Sequence, residues 1–229
     1  LLGISYATTP IAGALYSQGK FCQLLRVFRE SNAVNLLTSL VVVLLLLLLY
    51  CNISHLGQPV ELLPLIRPYF ITLLISLPFL SLFNSMKQFF DALGDTKTPM
   101  WTMISSNILN VILNYVLIFV FDLGLLGAGI ATLVARMSMP LLMYIAIVRG
   151  PLLKSSDFQQ IKTLSQSFWI TWDGMYALLR LGIPISVQLS LETCAFSVGA
   201  IFMGWIGAAA LAAHQVMGTI STLAFMVYY

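Results

Sequence analysis

Seven long apolar stretches, near 1–17, 32–51, 68–90, 100–121, 126–148, 181–204 and 208–229, constrain this chain more than any motif in it. About 20 residues of α-helix, rising 1.5 Å each, cross the ~30 Å hydrocarbon core of a bilayer. A chain in lipid must satisfy its own backbone hydrogen bonds, so stretches of this length predict helices and an all-α, polytopic transmembrane bundle. Composition closes the alternatives. Only 8% of the residues are charged and 59% are hydrophobic, against roughly 25% charged in a soluble domain. Such a chain has too little polar surface to cover a water-soluble globule. Soluble enzymes, nucleic-acid binders and disordered regulators are excluded, and the lipid bilayer is the expected surrounding. Cys22, Cys51 and Cys194 lie far apart with no CxxC pair and predict neither a disulfide framework nor a metal site.

Basic residues give the orientation. Taking alternate loops after the first span, one set holds Lys20, Arg26, Arg29, Lys87, Lys97, Arg149, Lys154, Lys162 and Arg180, and the other holds only Arg67. The Lys/Arg-rich side is cytoplasmic by the positive-inside bias, and a missed helix would scramble this alternation. The segment 150–180 is the longest polar connection, with Lys154, Ser155, Ser156 and Asp157. It reads as a cytoplasmic linker between two bundles, ending in an interfacial helix marked by Trp169, Trp172 and Tyr176. The run Leu44–Leu49 reads as a lipid-facing wall. The first stretch opens at Leu1 without a charged lead-in, so a fragment of a larger membrane protein is expected, not a signal peptide.

Chemistry is sought where polarity is expensive, since a charge at a helix centre costs roughly 2.5–3.5 kcal/mol on insertion scales. Two charges are so placed: Glu192 and Arg136. Glu30, Glu61, Asp91, Asp95, Asp122, Asp157 and Asp173 fall in loops or at helix ends and are expected to be solvated. Gln188, Glu192, Ala195 and Gly199 share one helical face at 100° per residue. A carboxylate there either takes up a proton or Na⁺ in a cavity, or is a protonated acid bonded across helices. Asn107, Asn110 and Asn114 lie within about 60° of arc on another span, either as neutral hard ligands for Na⁺ or as partners in interhelical amide bonds. Gly127, Ala131 and Ala135 repeat a small residue every fourth position and predict close approach of a neighbouring helix. Thr132, Arg136 and Pro140 form the adjacent stripe. The role of Arg136 is open between a watery cavity, an acid elsewhere in the protein, and snorkelling to the interface. Pro10, Pro78, Pro140 and Pro184 lie within spans, each freeing a backbone carbonyl. His214 reads as a packed polar residue. No GxGxxG, P-loop, HExxH or GxSxG string is present.

The stretch Ala92-Leu-Gly-Asp-Thr-Lys-Thr-Pro99, followed by Asn107-Ile-Leu-Asn-Val-Ile-Leu-Asn114-Tyr, resembles the multidrug and toxin extrusion (MATE) family. So do Gly127-Ala-Gly-Ile-Ala-Thr132, Leu181-Gly-Ile-Pro184 leading into Leu191-Glu192, and the run from Met203 to Gln215 with Phe225-Met226. The resemblance implies a secondary transporter of two six-helix lobes in the bacterial inner membrane. On that plan the chain runs from the second helix to the eighth. Residues 1–149 would form the N-lobe bundle without its first helix, 150–180 the cytoplasmic interlobe linker, and 181–229 the start of the C-lobe. It also implies that Glu192 couples transport to Na⁺ or H⁺, and that Asn110, Asn114 and Thr132 match a cation site in the other lobe. Gln188, Asn107 and Arg136 are candidate cavity-lining residues. The expected activity is antiport of organic, often cationic, drug-like compounds by a monomer, with no cofactor beyond the coupling ion. One rival is a lipid-linked oligosaccharide flippase of the same superfamily, which should carry several mid-span Arg or Lys residues where this chain has only Arg136. Another is an integral-membrane enzyme using Glu192, which needs a second catalytic group at membrane depth.

Overall fold

In the structure, a computed structural model that describes residues 2–51, 63–149 and 171–228, every apolar stretch is helical. The order is α1 (Leu2–Tyr6), α2 (Thr8–Ser17), α3 (Phe21–Cys51), α4 (Leu63–Ala92), α5 (Lys97–Tyr115), α6 (Gly124–Arg149), α7 (Trp172–Ile206) and α8 (Ala208–Tyr228). A π-helical turn, Val116–Val120, follows α5. The described residues contain no strand, and five helical segments are long and apolar enough to cross a membrane. Leu44, Leu45 and Leu48 face outward, each more than half exposed.

Three boundaries depart from the sequence expectation. The stretch 1–17 is broken at Ala7 into α1 and α2. The Pro10 ring excludes a bond to the carbonyl four residues earlier, that of Tyr6, where α1 ends. Pro10 itself sits in the first turn of α2, where a missing N–H costs nothing. Next, α3 starts at Phe21, not near 32, so the charged segment around Arg26–Glu30 is helical. Lastly, the expected interfacial helix before 181 is absent as a separate element. Trp172–Arg180 and the following span form one helix of 35 residues, continuous through Pro184. The rest of the expected linker, residues 150–170 with Trp169, lies outside the described residues, as does Glu61.

The chain divides into two compact units, Leu1–Ile183 and Pro184–Tyr229. In the first, α4 packs against α6, α3 and α2, and α5 packs against α6. One apolar cluster joins Ala12, Leu24, Phe83, Phe89, Phe90 and Met143; a second joins Ala7 and Val34 to Met175 and Leu178 of α7. The Ala92–Pro99 string is the tight α4–α5 connection. Gly94 takes φ +80°, a left-handed conformation that a side chain would strain. The Asp95 carboxylate accepts bonds from the Thr98 amide (3.2 Å) and hydroxyl (2.7 Å), satisfying amide and hydroxyl donors in the first turn of α5.

Candidate functional site: polar side chains at membrane depth

The small-residue stripe of α6 acts as its spacing predicts. Gly127, Ala131 and Ala135 are buried, and a Cβ on Gly127 would lie 2.9 Å from the Leu117 carbonyl oxygen of the π-helical turn. Ser106 of α5 donates to the Ala135 carbonyl at 2.6 Å, fixing the two helices in register. On this scaffold Asn114 Nδ2 donates to Asn110 Oδ1 at 2.9 Å. The pair is half-buried and lies immediately before the turn, where the ladder lengthens to Phe121 N–H bonding Val116 O at 3.0 Å. Asn107, rotated 100° from the buried Ser106, is exposed. The half-buried Thr132 donates to the Ala128 carbonyl of its own helix at 2.9 Å and makes no bond to either asparagine. The structure therefore pairs two of the predicted cluster and puts the third on the adjacent helix.

Arg136 is half-buried and turns toward α4, where Nη1 donates to Ser76 Oγ at 2.7 Å. Ser76 is fully buried, and its hydroxyl hydrogen is committed to the Leu73 carbonyl at 2.6 Å. This is a lateral contact in mid-helix, not a snorkel to the interface. Of the prolines, Pro140 is buried within α6, and Pro68 and Pro78 both lie inside α4.

In the second unit Glu192 and Gln188 are exposed on α7, and among the described residues no hydrogen bond reaches the Glu192 carboxylate. At Gly199 the face they share approaches α8. A Cβ on Gly199 would sit 3.8 Å from both Cε1 and Nε2 of His214, so the imidazole lies over the small residue of that stripe. His214 is half-buried, as expected of a packed polar residue. No group of three or more His, Cys, Asp or Glu able to hold a metal exists among the described residues, and the three cysteines are free.

Residues 1–116 match the MatE family. The chain belongs to the MatE family. It is 31% identical over 99% of its length to a probable multidrug resistance protein NorM of Bacillus cereus, and 30% identical over 99% to its namesake in Bradyrhizobium diazoefficiens. It spans about half the length of these curated relatives (50% and 48%). The fold agrees with a crystal structure of the Vibrio cholerae MATE transporter VcmN in the bent form, at TM-score 0.75 and 23% identity, over 97% of this chain and 49% of that one. MatE proteins are transporters, not enzymes, which removes the enzymatic reading of Glu192. The apolar helices and the bacterial relatives make this a multi-pass protein of the bacterial inner membrane.

Two polar features of this MatE chain escape the span-by-span sequence reading. Glu30 is not solvated at a helix end but 2% exposed, inside α3. Its Oε1 accepts from Arg26 Nε (3.0 Å), the Thr171 amide (3.1 Å) and the Thr171 hydroxyl (2.8 Å). Arg26 also donates through Nη2 to the Thr171 hydroxyl. Thr171 precedes the first residue of α7, so a carboxylate from α3 caps that helix and complements its dipole. A Cβ on Gly174 would collide with the same carboxylate, so any larger residue there would push the Glu30 side chain aside. The second feature is a buried hydroxyl–amide seam. Ser5 donates to Asn35 Oδ1 (2.6 Å), Ser31 bonds to both Thr8 and Ser85, and Ser81 donates to the Asn35 carbonyl (2.8 Å). These residues are at most 2% exposed and join α1 and α2 to α3 and α4. A signal was present: Ser31, Asn35 and Ser39 recur every fourth residue, a polar stripe on α3.

Proposed function

We propose that the full-length protein is a secondary active antiporter that exports organic, drug-like compounds, cations among them, in exchange for Na⁺ or H⁺. Support comes first from membership of the MatE family, whose relatives above carry multidrug-resistance names. The single observation that carries the mechanism is Glu192: a carboxylate inside a 35-residue apolar helix, with no partner among the described residues to neutralise it. A carboxylate so placed favours uptake of a proton or a small cation. The Asn110–Asn114 pair, with Thr132 on the packed neighbour, is the second proposed cation position, and Gln188 and Asn107 are proposed to line the path.

The proposed division keeps 1–149 as N-lobe, 150–180 as interlobe linker and 181–229 as the start of the C-lobe, in a monomer with no cofactor beyond the ion. Exchange requires that ion and cargo prefer different conformations, because a ligand equally at home in both shifts nothing. Reconstitution of the full-length protein in vesicles tests this, comparing wild type with Glu192→Gln under an imposed Na⁺ or H⁺ gradient. Loss of gradient-driven efflux with retained cargo binding is expected; unchanged efflux removes Glu192 from the mechanism.

A further inference from the structure

We propose that Arg136 is the recognition point for an anionic oxygen group, carboxylate, sulfonate or phosphate in type, carried by the exported compound. This assignment rests on the antiporter reading and narrows its cargo toward zwitterionic or anionic amphiphiles. Arg136 is residue 13 of the 26 in α6, about 18 Å from either helix end at 1.5 Å per residue, too deep for its head group to reach the interface. Its partner Ser76 also lies in the interior of α4, so both sit near mid-span. A guanidinium offers five N–H donors in a planar fork and keeps its charge throughout the physiological range. One donor is used, on Ser76 Oγ, and among the described residues no acid accompanies it. Ser76 is oriented to hold the head group without neutralising it, since its own hydrogen goes to Leu73.

A half-buried cation left with unused donors at that depth calls for an oxyanion, which the fork grips by two parallel bonds.

The test uses two dyes with one xanthene core, fluorescein (anionic) and rhodamine 123 (cationic), and follows their fluorescence anisotropy with the full-length protein in detergent. Arg136→Gln should weaken fluorescein by about 10- to 100-fold, the worth of a charge-assisted fork, and leave rhodamine 123 unchanged or tighter. Arg136→Lys keeps the charge but loses the planar fork, so fluorescein should weaken by less than in Arg136→Gln, with rhodamine 123 again unchanged. This second variant decides the matter if Arg136→Gln does not fold. Fluorescein binding equal in wild type and Arg136→Gln, or equal in wild type and Arg136→Lys where Arg136→Gln does not fold, overturns the assignment. That result leaves the antiporter standing if Glu192→Gln still abolishes coupled efflux. Efflux of either dye that ignores both ion gradients sinks the antiporter instead.

Discussion

Replacing Glu30 by alanine should release the start of α7 from α3 while leaving the rest of the bundle folded. The magnitude follows from the three bonds on Oε1. Two come from Thr171, and loss of a helix cap costs about 1 kcal/mol. The third is the ion pair with Arg26, whose side chain is 43% exposed and can be re-solvated once its partner is gone. That lowers its share from the several kcal/mol of a fully buried pair to about 1 kcal/mol. The total, about 2 kcal/mol, corresponds to a roughly 30-fold rise in the open population of the first turns of α7. Hydrogen exchange read by mass spectrometry on the full-length protein measures this directly. Peptides covering 171–179 should exchange about 30 times faster, and those from α6, which Glu30 does not touch, at the wild-type rate. Met175 and Leu178 remain packed on Ala7 and Val34, so the helix should loosen locally and not detach. Unchanged exchange over 171–179 would refute the reasoning, since it would mean that the cap contributes nothing to the docking of α7.

Two further outcomes follow from packing. Gly129→Ala should lower the melting temperature of the detergent-solubilised protein, because the new methyl meets Thr72 Oγ1 and the Tyr69 ring (3.2 Å to Cδ2) on α4; overpacking of this kind costs about 1–3 kcal/mol. Gly218→Ala, with nothing within 4 Å, is the control and should melt no lower than wild type. Asn35→Ala should destabilise by about 1–3 kcal/mol, because it removes the buried amide that accepts from Ser5 and donates to the Ser31 carbonyl; a melting curve superimposable on wild type would show that the seam is inessential.

Much of the architecture was legible because lipid leaves a chain few options. An apolar stretch long enough to span must be helical, and that is local information. The α6 stripe Gly127, Ala131, Ala135 was legible for a similar reason: small residues at one-turn spacing have few uses besides close helix contact, and the π-helical turn sits against Gly127. The site was less legible. Asn110 and Asn114 are one turn apart and do pair, as their spacing allows. Glu30 was misread as solvated because the apolar stretch begins after it, and hydropathy carries no sign that α7 folds back over it. The break at Ala7 is not legible because a proline within a span frees a backbone carbonyl whether the helix continues, as at Pro140, or stops, as before Pro10.

By itself, then, the order of residues determined which stretches are helical and that Glu192 and Arg136 lie inside apolar helices, since each depends on neighbours within a turn or two. Only packing in three dimensions decided what those groups touch. Arg136 meets Ser76 sixty positions away, and Glu30 meets Thr171 at a separation of 141. Such pairings depend on crossing angles and helix rotation, set by the interlocking of many side chains at once and by no short stretch of sequence.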